Sequence, residues 1–311
     1  MKINPDMQKQ VIPKCRFSGH QTFVARNGWL EKGVDLVSKN PHGFLDDDAV
    51  IQLGVGKNMV ESIKYWCQQT GLIEDGQESG TMQLTDFGRF IFGDNEQSGA
   101  DPYLEDDATL WLLHYKMVVE APTSTWSMVF NHYNKPEFKK EELASFIMRR
   151  LDDAQISVSE QTIERDIDCF VRTYAGTRNK GGEESFDSPF LTLYLIHTTG
   201  DSGLYRLNIG RKANLPEALV GYAILRYMKS VQELDVSLYR LLFDPLSPGQ
   251  VFKLNQNALV DAVLSLEGEH NNKLSYSDTA GLATVRYSGN RFKLEEDAEN
   301  YLRSYYLGKE G

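Results

Sequence analysis

The chain has 311 residues, with 33 Lys/Arg against 44 Asp/Glu, a formal net charge of −11, 41% hydrophobic and 25% charged residues. Such values suit two or three folded domains and exclude extended disorder, while the acidic balance argues against a protein that coats DNA by neutralising its phosphates. No apolar run approaches the roughly eighteen residues of a membrane span, MKINPDMQKQ does not read as a signal peptide, and Cys15, Cys67 and Cys169 are too scattered for a disulfide framework or zinc ribbon. A reducing cytoplasm is the expected home.

Charge is uneven along the chain. Lys2, Lys9, Lys14, Arg16, Arg26, Lys32 and Lys39 face only Asp6, Glu31 and Asp35 over residues 1–40. Apolar spacing at Phe23, Trp29, Leu30, Val34 and Val37 predicts a helix over 22–39. A short helix follows over 46–53, with Asp46, Asp47 and Asp48 at its positive end. The run Gly54-Val55-Gly56-Lys57 invites a phosphate-loop reading, but Ile51 stands where the first glycine belongs and Asn58 where a hydroxyl belongs. The segment before it also has helical rather than strand spacing. A tight turn is the better account.

Over 57–70, Met59, Val60, Ile63, Trp66 and Cys67 make one apolar face. Lys57, Asn58, Glu61, Ser62 and Lys64 are the expected outward residues. Gly71 ends the helix, and residues 72–74 and 82–84 pair as short strands around DGQESG. Helix, glycine turn, helix and hairpin predict a winged helix-turn-helix, whose second helix commonly enters the DNA major groove. Thr85-Asp86-Phe87-Gly88-Arg89 starts the next helix.

From Asp94 to Asp107 the chain has six acids and no base, a face that suits a protein partner. Asp106 and Asp107 cap an apolar helix, Ala121-Pro122 ends it, and TSTWSMVFNHY begins another. A helix over 139–151 precedes Ser157-Val158-Ser159-Glu160, which has the form of a capping box. The helix over 159–174 places Glu160, Glu164, Arg165, Asp166 and Asp168 on its polar side, too acidic for groove entry. Residues 178–182 form a link. SPFLTLYLIHTTG and GLYRLNIG read as a hairpin, and Pro216 opens a helix through Met228. Ser247-Pro248-Gly249 is a turn, 257–266 a helix, and LATVRYSG with NRFKL two strands of a further wing. Lys253, Lys273, Arg286, Arg291 and Lys293 offer a local basic face there.

The expected fold is therefore α+β and mainly helical, built of winged helix-turn-helix units with small β-hairpins. Domains are expected at 1–98, 99–178 and 179–311. Ser18 and His20 lie close together but lack the strained elbow and orienting acid of a serine nucleophile. The six histidines, His20, His42, His114, His132, His197 and His270, lack metal-helix spacing. Trp29, Trp66, Trp111 and Trp126 fall on apolar faces and read as core. No nucleotide, haem or flavin motif is present, so neither catalysis nor a cofactor is expected.

With FSGHQTFVARNGWL, LGVGKNMVESIKYW, LTDFGRFIF, DPYLEDDATLWLLHY, DIDCFVRTY, SPGQVFKLN and DTAGL in order, the chain resembles a bacterial family of unknown function, domain family 4007. Members are often encoded beside phosphoadenosine-phosphosulfate-reductase-like sulfurtransferases, cysteine desulfurases and ATPases. The resemblance thus implies a role in DNA phosphorothioation or phage defence. It carries no established catalytic residues, and Gln21 stands where many relatives have an acid. The expected function is a non-enzymatic DNA-binding or adaptor subunit that binds duplex DNA and a sulfurtransferase or ATPase. Alternatives are a transcriptional regulator of the same genes and an accessory sulfurtransferase subunit using Cys169. The latter suffers from Asp166 and Asp168, which disfavour a thiolate.

Overall fold

The computed structural model describes residues 15–94, 97–122, 124–175, 188–200, 203–267 and 273–308. The protein is α+β, mainly helical, with small antiparallel sheets.

Helix α1 spans Trp29–Lys39, starting well inside the predicted 22–39. Ser18, Gln21 and Thr22 have positive φ, which stops a helix forming there, and Gly28 before the helix is also left-handed. Helix α2, Ala49–Leu53, begins after the three aspartates, whose carbonyls at Asp46 and Asp48 accept the first N–H groups. Gly54, at φ 67°, turns the chain, a conformation in which glycine escapes the Cβ penalty. Helix α3 covers Lys57–Gln69, Gly71 follows at φ 71°, and strands β1 (Ile73–Asp75) and β2 (Met82–Leu84) pair antiparallel. Helix α4, Asp86–Phe92, opens with the Thr85 hydroxyl accepting the Gly88 N–H.

Asp106 caps helix α5, Asp107–Tyr115, buried from Ala108 onward, which continues into a π-helical turn at Lys116–Glu120. Next come α6 (Thr125–His132), β3 (Glu137–Phe138), α7 (Lys140–Asp153) and α8 (Glu160–Ala175). The α8 cap is Ser159, whose hydroxyl accepts the Thr162 N–H, not Ser157. The predicted link at 178–182 lies outside the described residues. The first half of the predicted hairpin is a 3₁₀ turn, Pro189–Leu193, started by the Ser188 hydroxyl; only β4 (Ile196–Thr199) and β5 (Leu204–Leu207) are strands.

The remainder is α9 (Glu217–Val231), β6 (Asp235–Ser237), α10 (Leu238–Phe243), α11 (Pro248–Val251), α12 (Gln256–Glu267), β7 (Leu274–Thr279), β8 (Leu282–Tyr287) and α13 (Leu294–Leu307). The predicted strand NRFKL is instead a 3₁₀ turn running into α13. Strand β8 pairs instead with both β6 and β7, and β7 has one buried residue, Leu274, too little apolar alternation to be read.

Two stretches share one topology. Helix, strand, helices and two strands recur in α6–β5 and α9–β8, and in both sheets the last strand lies between the other two (β3-β5-β4 and β6-β8-β7). The α1–β2 stretch follows the same order without its first strand. At that place, between α1 and α2, the Pro41 carbonyl accepts the Met82 N–H of β2. One connected apolar core runs from Ala25 to Leu302 and contains all four tryptophans. Among the described residues no helix is long and apolar enough to cross a membrane.

Candidate nucleic-acid interface

Helix α3 packs against α1 and α2, with Ile63 and Cys67 against Gly33 of α1 and Trp66 against His20 and Trp126; these three and Val60 are buried. Its N-terminal Lys57 and Asn58 are exposed, as is Glu61, and Lys64 is half-buried. Ser62 does not join them. It is fully buried and its hydroxyl has no hydrogen-bond partner. The cause is that α3 is covered on two sides, by α1 and α2 and by the segment before α1, so the arc through Ser62, Tyr65 and Gln69 also turns inward. What remains outside is a narrow stripe of Lys57, Glu61, Lys64 and Gln68, spaced as one helix face.

The covering segment, residues 15–23, is a strap held from α8. Asp166 Oδ1 accepts the Ser18 N–H at 2.7 Å and faces His20 Nε2 at 2.8 Å, with both side chains fully buried. Thr22 N–H donates to His20 Nδ1 at 3.0 Å, Arg172 donates to the Thr22 carbonyl, and Cys169 Sγ lies 3.4 Å from the Phe23 carbonyl. From α3, Trp66 Nε1 donates to the same Phe23 carbonyl at 3.0 Å. Burial lowers the His20 pKa, whereas Cys169 and Asp166 raise it and set the net upward direction. The Thr22 N–H aimed at Nδ1 opposes a second ring proton, so we assign the neutral ring with its proton on Nε2.

That arrangement leaves neither His20 nitrogen free to take a proton from Ser18, whose hydroxyl points to the Thr162 carbonyl at 3.5 Å. The trio lacks the geometry of a nucleophile and its base. Asp166 Oδ2 and the Tyr65 hydroxyl are both buried without a partner, and burial, ahead of Asp166 and Cys169, pushes the Tyr65 phenol well above its ordinary value. Asp166 was expected on the polar side of its helix. Its position between Ile163 and Phe170, beside Ile167, lies on the buried stripe, and that acid on an apolar stripe was the signal available in the sequence.

Arg16 extends the outer stripe. Its Nη1 donates to Gln68 Oε1 at 2.8 Å and its guanidinium lies 5.0 Å from the Tyr65 ring centroid. Among the described residues, Arg16, Lys57 and Lys64 form no ion pair, whereas Lys39, Arg89, Lys116 and Lys140 each hold a carboxylate. Of the five basic residues expected to form a C-terminal face, only Arg291 is both exposed and without an ion pair among the described residues. Lys253 is buried, and Lys273, Arg286 and Lys293 pair with Asp297, Asp235 and Glu296. Much of the acidic run is also engaged internally: Asp101 accepts from Glu105 N–H, Asp106 N–H and the Thr109 hydroxyl, and Asp107 accepts from Asn214.

A family model described as "Protein of unknown function (DUF4007)" matches residues 17–306. The chain belongs to this family. It is similar to a solved structure of SspB with a bound magnesium ion, at 30% identity and a TM-score of 0.83, covering 94% of this chain and 90% of that one. A second solved SspB structure matches at 29% identity with the same TM-score and coverage. No curated protein matches.

Proposed function

We propose that this DUF4007 chain is a non-enzymatic DNA-binding or adaptor subunit of a bacterial DNA-modification system of the phosphorothioation type, or of a phage-defence system. The observation that carries this reading is the position and charge of α3. It is the third helix of a unit that we read as a winged helix. At its exposed start it presents Lys57 and Asn58, and its lysines have no carboxylate partner among the described residues. Lysine suits guanine or phosphate, and asparagine can pair with adenine through two hydrogen bonds. In a chain of net charge −11, Lys57 and Lys64 with the adjoining Arg16 outnumber Glu61 on this face and support a local contact with a polyanion rather than coating of it.

The test is fluorescence anisotropy with labelled duplex at several salt concentrations, with and without Mg²⁺. Lys57→Glu with Lys64→Glu should leave the far-UV spectrum unchanged and abolish most duplex binding. Equal binding by wild type and the double variant, or none by either, overturns the reading. The Mg²⁺ arm is included because the similar SspB structure holds that ion. Among the described residues here, no group of three or more His, Cys, Asp or Glu side chains is placed to hold a metal, and the reading uses none.

The hairpin favours a second reading. Residues 73–84 include Glu74, Asp75 and Glu78 and no Lys or Arg, an unsuitable wing for phosphates. On that reading the unit docks a basic protein surface, such as a sulfurtransferase or ATPase of the same gene cluster. Co-purification weakened by salt would support it.

A further inference from the structure

We infer that Arg16 is a phosphate-contacting residue of the duplex interface, held at the trailing end of α3 by the strap. This inference rests on the DNA-binding reading and adds a contact outside the helix itself. Arg16 is half-buried, yet its guanidinium has no carboxylate within ion-pair distance among the described residues. Tyr65 supports its plane and Gln68 fixes one edge. An arginine held in this way loses little side-chain freedom when it binds, and its planar fork suits phosphate oxygens.

Distance decides between phosphate and base. Eleven residues separate Lys57 from Gln68, roughly 16 Å at about 1.5 Å per residue. The major groove is only about 12 Å wide. With Lys57 and Asn58 at the base edges, the Gln68 end of the stripe lies beyond the groove wall, where the sugar-phosphate backbone runs. Arg16 therefore contributes affinity without sequence preference.

The strap's geometry keeps Arg16 there. Gly19 packs so closely on Tyr65 that a Cβ would approach the ring to 2.4 Å, and Ser18 and His20 are tied to Asp166 of α8. The second topological unit thus positions a contact of the first.

The experiment is duplex binding by anisotropy for wild type, Arg16→Gln, Arg16→Lys and the Lys57→Glu/Lys64→Glu pair, each over a salt series and on two unrelated duplexes. For Arg16→Gln the slope of log affinity against log salt should shrink by about 0.9, the share of one phosphate contact. The loss should be alike on both duplexes, and Arg16→Lys should retain the wild-type slope. If Arg16→Gln fails to fold, Arg16→Met keeps the stem over Tyr65 and should lose the same slope. An unchanged slope in the neutral variant, a loss confined to one duplex, or a shrunken slope in Arg16→Lys overturns the inference while the α3 reading stands. No duplex binding by wild type overturns both.

Discussion

Lys253 shows how the fold turns a basic residue into a structural one. Its ammonium donates to the Phe130 carbonyl at 2.7 Å and to Gln250 Oε1 at 3.0 Å, and burial lowers its pKa to about 7. Lys212, which donates to the carbonyls of Gly210 and Lys253, is lowered by burial to about 8. Phe130 lies in the last turn of α6, where the helix dipole favours a cation, but desolvation is the larger effect. Between about pH 7 and the ordinary lysine value of about 10.4 the unfolded chain holds a proton that folded Lys253 has released. Stability from this residue should therefore rise with pH across that window and change little below it. Thermal melts of wild type and Lys253→Met from pH 6.5 to 10 should show a flatter profile in the variant. Parallel profiles would show that Lys253 stays charged when folded. The variant should also be less stable above pH 9, by about 1–3 kcal/mol, because the buried Phe130 carbonyl loses its donor.

At the scale of elements, glycines decide how the first unit closes. Gly54 supplies a left-handed turn with nothing near its missing Cβ, whereas a Cβ on Gly88 would come within 2.2 Å of the Leu72 carbonyl oxygen. In an isolated helix, glycine to alanine gains about 1 kcal/mol. Here the new methyl would have to push backbone rather than a flexible side chain, at a cost of about 1–3 kcal/mol. The clash should win, so Gly88→Ala should lower the urea midpoint by separating α4 from the start of β1. A midpoint equal to or above wild type would mean that the contact relaxes freely. The same contrast separates α3 from α8. The stripe of α3 is open to solvent from Lys57 to Lys64, whereas the Asp166 side of α8 lies under the strap.

For the whole molecule, the strap is the joint between the first and second units. Asp166 receives two hydrogen bonds from it, and each bond to a charged group is worth about 1.5–3 kcal/mol. Asp166→Ala should destabilise the protein by about 3 kcal/mol or more, and residues 15–23 should lose protection from hydrogen exchange before the core does. If exchange in the strap is unchanged, the six bonds that Thr22, Arg172, Trp66, Cys169, Arg16 and Ser18 make there hold it without the carboxylate. Asp166→Asn keeps the shape and one acceptor and should recover part of the loss. This coupling is also why Cys169 reads as packing rather than chemistry: its sulfur is buried against the strap backbone.

Local chemistry was enough to read α3, its glycine turn, the β1–β2 pair, the helix start at Thr85–Arg89, the Asp106 cap and the burial of all four tryptophans, because each depends on neighbours within a few residues. The same holds for the family, whose motifs occur in order along the chain. Other features depended on contacts remote in sequence. Ser62 belongs to a polar residue type, yet a second covered side of α3 buries it; Asp166 belongs to an acidic stretch, yet it lies on the stripe that meets the strap 146 residues away. Arg16 stood in a basic segment with nothing to tell it from its neighbours until Tyr65 and Gln68 came beside it. The pairing of β8 with β6 and the repeated sheet order emerged only from hydrogen bonds between strands remote in sequence. Helix periodicity and capping are local energies, whereas burial, strand partnership and the company a charge keeps are set by which distant surfaces the packed chain brings together.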